Sequence, residues 1–166
     1  MSRIRVTSLV LALASTSFLA GLSMQARAHE GHEGHQSHES FSAGEPGNAK
    51  KLARTIKMKM LKDGKKMLFE PAQIELRKGE QIRFVLQNDD DEKHEFVLAT
   101  PAENRKHADL MKKYPDMEHE DPNGKTVPSL GTGELVWRFT KPGSFEFACL
   151  ISGHYEKGMF GTIVVK

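Results

Sequence analysis

The chain has 166 residues with 24 basic and 22 acidic side chains, a formal net charge of +2 and a single cysteine. This length suffices for one domain with one hydrophobic core. One cysteine excludes an internal disulfide, an iron-sulfur cluster and a metal pair bridged by two thiolates, since each needs more than one sulfur ligand.

The first 28 residues have the pattern of a secretory signal peptide. A positive start with Arg3 and Arg5 precedes a mostly apolar run over residues 6–22, and Ala26-Arg27-Ala28 fits a small-residue cleavage site. An uncleaved membrane anchor is the alternative, but hydroxyl residues interrupt the apolar run. Cleavage after Ala28 removes three arginines and no acidic residue, so the formal net charge changes from +2 to −1. We therefore predict an exported protein with no membrane span and no nucleic-acid partner.

Residues 29–51 are predicted to form a disordered tail ahead of a folded domain over residues 52–166. The tail is rich in histidine, glycine, glutamate and serine, and Phe41 is the only large apolar residue among residues 29–48. So little apolar surface cannot offset the entropy cost of ordering the chain.

From Leu52 onward, apolar residues alternate with polar ones, as in β-strands with one buried face. The predicted inward rows are Ile56-Met58-Met60, Ile74-Leu76, Ile82-Phe84-Leu86, His94-Phe96-Leu98, Leu135-Trp137-Phe139, Phe145-Phe147-Cys149 and Met159-Ile163-Val165. Turn residues separate these rows, for example at Asp63-Gly64, at residues 88–91 and at Pro142-Gly143. About seven or eight short strands with this spacing predict an antiparallel β-sandwich.

One segment lacks the alternation of apolar and polar residues. Thr100 as N-cap, Pro101 at the first helical position and Glu103 reaching back form a capping box, and a Tyr-Pro pair follows. We predict a short helix over Pro101 to Lys113, inside a long excursion that lasts until about Leu130.

Side chains that bind metals collect near the C-terminus. Cys149, His154 and Met159 follow one another in one short stretch, and His94 falls at the end of an earlier predicted strand. Two imidazoles, a thiolate and a weak axial thioether are the ligand set of a type 1 blue-copper site. The pattern therefore predicts one copper ion, cycling between Cu(II) and Cu(I), bound by these four residues.

Other interpretations of these residues explain less of the pattern. Structural zinc takes four strong ligands, and methionine is a poor partner for it. A cysteine nucleophile with a histidine base is formally possible, but the local signatures of catalytic cysteines are absent. A buried structural cysteine beside a surface histidine is the simplest alternative, and it leaves the spacing without a reason.

Over Leu52 to Lys166 the chain resembles the cupredoxins, the plastocyanin and azurin class of small copper proteins. The resemblance is strongest at Gly143-x-Phe-x-Phe-x-Cys149-x4-His154-x4-Met159-x-Gly161, whose Cys-to-His separation is similar to that of azurin-like and rusticyanin-like loops. It implies a Greek-key β-sandwich with His94 as the first histidine ligand. Members usually place asparagine after that histidine, where it tethers the two ligand loops. Here Glu95 follows His94, so the tether must differ.

The histidine-rich tail is similar to that of periplasmic cupredoxins associated with copper tolerance in proteobacteria, which implies a periplasmic location. Four histidines recur in it every three residues: His29, His32, His35 and His38. They either capture additional copper through their imidazoles or belong to a solvated extension that binds no metal. Met58, Met60 and Met67 are interpreted as core residues rather than a copper-binding cluster, and His107 and His119 as surface residues.

Two functions fit these predictions. The first is a soluble, monomeric one-electron carrier that exchanges electrons with a periplasmic redox protein such as a cytochrome. The alternative is a copper-sequestering or copper-delivering protein of copper tolerance, which would meet other copper-handling proteins. Four protein ligands leave no open position for a substrate, and the chain has no His-x-His pair of the kind found in copper oxidases. We therefore expect a protein that is not an enzyme.

Overall fold

Ten β-strands and one α-helix make up the part of the chain described by the structure, a computed structural model, which covers residues 41–115, 117 and 121–166. The strands are β1 (Glu45–Pro46), β2 (Arg54–Asp63), β3 (Lys66–Glu70), β4 (Gln73–Leu76), β5 (Gln81–Asn88), β6 (His94–Ala99), β7 (Gly124–Val127), β8 (Thr132–Arg138), β9 (Gly143–Ala148) and β10 (Phe160–Val165). Helix α1 spans Pro101–Lys113, between β6 and β7.

The strands form two five-stranded sheets, in the orders β1-β8-β5-β2-β3 and β4-β10-β9-β6-β7. The predicted β-sandwich with one short helix is confirmed. The sheets are mixed, however, because β2 pairs in parallel with β5 and β4 pairs in parallel with β10. The chain passes from β3 through β4 of the other sheet before it returns as β5. That long connection allows β5 to run in the same direction as β2, which a tight hairpin would forbid.

A cluster of aromatic rings joins the two sheets. Phe96 of β6 and Phe147 of β9 are stacked with their centroids 5.3 Å apart. From the opposite sheet, Phe69 meets Phe147 edge-on at 5.2 Å, and Phe84 lies 4.9 Å from Phe96. All the predicted inward rows are buried in this core, except that Ile56 is partly exposed. Met58, Met60 and Met67 are fully buried, which confirms their interpretation as core residues.

Helix α1 adds a third layer over the outer face of β6 and β9. It has the predicted bounds, and the Thr100 capping box is present. Its residues Ala108 and Met111 pack against Val97 and Ala148, which face away from the main core. These two strands are therefore buried on both faces. The predicted excursion to Leu130 is not wholly irregular, because β7 lies within it and pairs with β6.

The segment that begins at Phe41 is part of the folded domain. The Phe41 ring meets Trp137 edge-on at 5.4 Å, and the Trp137 indole N–H donates to the Ala43 carbonyl at 3.2 Å. Gly44 has a φ of +133°, and a Cβ there would collide with the carbonyl of Arg138. The predicted disordered tail over residues 29–51 is therefore wrong from Phe41 onward, because one aromatic anchor and a short strand suffice to order the segment.

The predicted signal peptide and the four tail histidines lie outside the described residues. Within the described ranges, no helix has both the length and the apolar character needed to cross a membrane.

Replacing the aromatic anchor tests this assignment of the N-terminal segment. Phe41→Ala should lower the free energy of unfolding by about 1–2 kcal/mol, less than the loss expected for a fully buried phenylalanine, because Phe41 is only partly buried. Leu52→Ala is the control, since Leu52 is fully exposed. Urea unfolding of the metal-free mature protein measures both values. Equal stability of the two variants would show that Phe41 does not anchor the segment.

Candidate metal centre

Neighbouring strands of one sheet bring the predicted ligands to one end of the sandwich. His94 is the first residue of β6, and Cys149 directly follows β9. His154 lies in the loop between β9 and β10, and Met159 directly precedes β10. All four side chains are buried, and only His154, at 4%, retains measurable exposure.

Three of these residues place their donor atoms in a small triangle. His94 Nδ1 lies 3.2 Å from His154 Nδ1, and Cys149 Sγ lies 3.4 Å from His154 Nδ1 and 4.0 Å from His94 Nδ1. A point equally distant from the three atoms is about 2.1 Å from each, which matches the roughly 2.0–2.3 Å bonds of nitrogen and sulfur ligands to a metal. The donor set therefore fits a single metal ion. Across the described ranges, no other group of histidine, cysteine and carboxylate donors shows this arrangement.

Backbone hydrogen bonds close the loop that carries three of the predicted ligands. The Cys149 N–H donates to the Met159 carbonyl at 2.9 Å, and the Met159 N–H donates to the His154 carbonyl at 3.1 Å. From β3, the Met67 N–H donates to the carbonyl of Lys157 at 3.2 Å. Met159 is thereby held beside Cys149 and packs into the same core.

Burial controls the protonation of the donors. It raises the pKa of the Cys149 thiol to about 12, although the Glu95 N–H donates to its sulfur at 3.3 Å and opposes this effect. Burial also lowers the pKa values of His94 and His154, in His154 with a further contribution from the charge of His94. At neutral pH the metal-free site thus holds a thiol and two uncharged imidazoles. A metal must displace the thiol proton, while both imidazoles already offer a lone pair.

Carboxylates meet the outer nitrogens of both histidines. His94 Nε2 lies 3.2 Å from Asp90 Oδ2, and His154 Nε2 lies 3.4 Å from Glu92 Oε2. Glu92 also pairs with Lys62 at 2.8 Å. Burial acts to raise the pKa of Asp90, but hydrogen bonds from the following residues and from His94 outweigh it and lower the value. The sequence of residues 88–91 predicts only a turn. The separation of four residues between Asp90 and His94 was the available signal.

A buried carboxylate connects the ligand loop to helix α1. Glu146 of β9 accepts hydrogen bonds from Asn104 Nδ2 at 3.0 Å and from the Tyr155 hydroxyl at 3.2 Å. Tyr155 follows His154 in the chain, so this network supports the loop at the ligand itself. The network thus connects the loop to helix α1 and β9 in a chain that has Glu95, not the usual asparagine, after its first predicted histidine ligand.

Five of the six remaining histidines lie outside the described residues: His29, His32, His35, His38 and His119. His107 is partly buried on helix α1 rather than fully on the surface.

Known proteins are similar to this chain in sequence and in fold. A family model described as copper-binding proteins of the plastocyanin/azurin family matches residues 56–166. The copper-resistant cuproprotein CopI of Rubrivivax gelatinosus is 50% identical over 123 residues, which cover 74% of this chain and 73% of that protein. The CopI of Pseudomonas aeruginosa is 33% identical over 152 residues, with coverages of 74% and 82%.

The fold is also similar to that of a solved structure. Auracyanin A, a "blue" copper protein from Chloroflexus aurantiacus, has a TM-score of 0.57 at 17% identity, and the alignment covers 69% of this chain and 100% of auracyanin A. At this identity the likeness concerns the fold alone.

Removing the thiolate tests the donor triangle. The copper-loaded protein should show an intense thiolate-to-copper charge-transfer band in the visible spectrum, and Cys149→Ser should abolish it because a hydroxyl cannot replace the soft sulfur ligand. His107→Ala is the control, since it removes an imidazole outside the triangle and should keep the band. A Cys149→Ser protein with undiminished colour would contradict the assignment.

Proposed function

The chain belongs to the plastocyanin/azurin family of copper-binding proteins, and from this premise we propose that it acts in copper tolerance by holding copper at its buried site. The observation that carries the proposal is the triangle formed by His94, Cys149 and His154, whose dimensions suit one metal ion. Its occurrence in a chain 50% identical to a copper-resistant cuproprotein supports tolerance over a purely respiratory role. The signal-like leader supports a location in the periplasm.

The chain's own residues would do three things at this site. His94 and His154 direct their Nδ1 atoms at one point, and the Cys149 thiol gives up its proton there. The Glu95 and Ile151 amides then stabilise the resulting thiolate. The surrounding core excludes water, since the ligands are almost fully buried. Copper, when bound, supplies a one-electron couple between Cu(II) and Cu(I).

Met159 is proposed as the weak fourth ligand. Its burial in the same core as Cys149 and its backbone hydrogen bonds to the ligand loop support this role. With four protein ligands, the site has no open position for a substrate. We therefore propose a binding protein rather than an enzyme.

Changing the fourth ligand should shift the reduction potential. Met159→Gln should retain coloured copper and lower the potential by at least about 59 mV, the shift for a tenfold change in relative affinity, because an amide oxygen favours Cu(II). Met159→Leu is matched in size but lacks a donor oxygen, so it should not lower the potential. If voltammetry gave the same potential for Met159→Gln and the unmodified protein, Met159 would not be a ligand.

A one-electron carrier is the second candidate function. A ligand set held by a rigid, buried scaffold rearranges little when copper gains or loses an electron, which favours fast transfer. A carrier would need a periplasmic redox partner such as a cytochrome, whereas a tolerance protein would meet copper-handling proteins. Either role suits a monomer.

Complementation of a strain that lacks this protein tests the proposed role. The unmodified protein should restore growth in elevated copper, and Cys149→Ser should not. A variant lacking residues 29–40 retains the Phe41 anchor, so it should keep the coloured site. If the tail histidines capture additional copper, this variant should bind fewer ions at neutral pH and protect the cells less.

Two other outcomes would contradict the proposed tolerance role or the proposed role of the tail. Normal copper tolerance with impaired respiration in the deletion strain would favour the carrier. Equal copper content with and without residues 29–40 would show that the tail is a solvated extension.

A further inference from the structure

His94 is bonded on both sides of its ring. Its Nδ1 atom faces the donor triangle, while its Nε2 atom lies 3.2 Å from Asp90 Oδ2. The His94 side chain is 0% exposed and that of Asp90 only 3% exposed. An ionised carboxylate accepts hydrogen bonds and cannot donate them. The proton of a neutral His94 therefore lies on Nε2, and Nδ1 carries the lone pair that a metal needs.

The chain around Asp90 holds its carboxylate in this orientation. The Asp91 N–H donates to Asp90 Oδ1 at 2.7 Å, and the Glu92 N–H donates to it at 3.4 Å. These bonds occupy Oδ1 and leave Oδ2 for His94. The Asp90 N–H donates at 2.9 Å to Asn88 Oδ1. Asp90 is thereby fixed by its own loop rather than by the histidine alone.

The loop is in turn attached to the connection between β7 and β8. Asn88 is 1% exposed, and its Nδ2 donates to the carbonyls of Glu92 at 2.7 Å and Pro128 at 2.9 Å. The Leu130 N–H donates to the Asp90 carbonyl at 3.0 Å. These hydrogen bonds together hold Asp90 Oδ2 next to His94 Nε2.

The carboxylate next to the other histidine differs in its surroundings. Glu92 is 43% exposed and pairs with Lys62, so water and a cation both weaken its effect on His154. The carboxylate of Asp90 is instead bonded by backbone amides and His94 in a buried place. Its negative charge therefore acts on the metal position with less screening.

We propose that Asp90 is a positioning residue, which fixes the tautomer of His94 and places a buried negative charge that favours Cu(II) over Cu(I). This inference rests on the proposed copper site. Cu(II), the Cys149 thiolate and the Asp90 carboxylate sum to zero charge. After one electron is added, the same groups carry a charge of −1 in a buried region. Asp90 thus lowers the reduction potential.

Voltammetry of the copper-loaded full-length mature protein tests the charge effect. Asp90→Asn keeps the size of the side chain and removes its charge. The Cu(II)-to-Cu(I) affinity ratio should fall at least about tenfold, equivalent to a rise in potential of about 59 mV for a one-electron couple. Asp89→Asn is the matched control, because it removes the same charge from an exposed side chain bonded to Gln87. Its shift should be several-fold smaller.

A second measurement needs no substitution. In the metal-free protein at neutral pH, nitrogen NMR should show the proton of His94 on Nε2 rather than on Nδ1, because no metal then dictates the tautomer. The inference fails if this nitrogen is unprotonated, or if Asp90→Asn and Asp89→Asn shift the potential equally or not at all. If the unmodified protein forms no coloured copper site, the proposed site itself fails, and this result is distinct from the others.

Discussion

Antiparallel pairing holds β6 and β9 side by side in one sheet, where the stacked rings of Phe96 and Phe147 fill the core, and the metal site depends on this arrangement. Side chains two residues apart on a strand point to the same face. His94 and Cys149 each lie two residues from one of the stacked rings, so both point into the core at its open end. The two strands thus fix the positions of His94 and Cys149, while the loop before β10 places His154 next to them. A change that tilts either ring would move a donor atom.

Because the donor groups are buried, they carry no charge in the metal-free site. Three donors in an apolar environment are most stable without charge, which is why burial raises the pKa of the Cys149 thiol and lowers those of both imidazoles. The first cost of binding is therefore the removal of one thiol proton. Bonds to the metal offset this cost, and amide hydrogen bonds to the sulfur reduce it further. Selectivity follows from the same donor set, because a thiolate with two imidazoles suits copper better than it suits hard cations.

Local patterns were sufficient to predict most of the fold and the three residues that form the donor triangle. The capping box at Thr100 predicts the start of the helix, and the alternation of apolar and polar residues predicts the buried faces of the strands. Both signals depend only on residues that are neighbours in the sequence. The parallel pairing of β2 with β5 was missed, since nothing local shows where a strand finds its partner. The folded segment at Phe41 was missed for a related reason, because its partner, Trp137, is far away in the chain. Asp90 was read as a turn residue because its contact with His94 appears only after the loop closes.

The two histidines of the donor triangle face different surroundings, and this asymmetry bears on the proposed uses of the site. His94 is fully enclosed behind Asp90, whereas His154 is 4% exposed and lies beside the partly exposed Glu92–Lys62 pair. For the proposed carrier role, His154 is therefore the histidine of the site that lies nearer to solvent. Release of copper instead requires the Cys149 thiolate to regain a proton inside the core, and the loop is held closed by its bonds to β3 and to Glu146. The enclosure of the proposed copper site would thus oppose rapid metal loss. Within a role in copper tolerance, this favours retention of copper at the buried site over its rapid delivery to a partner.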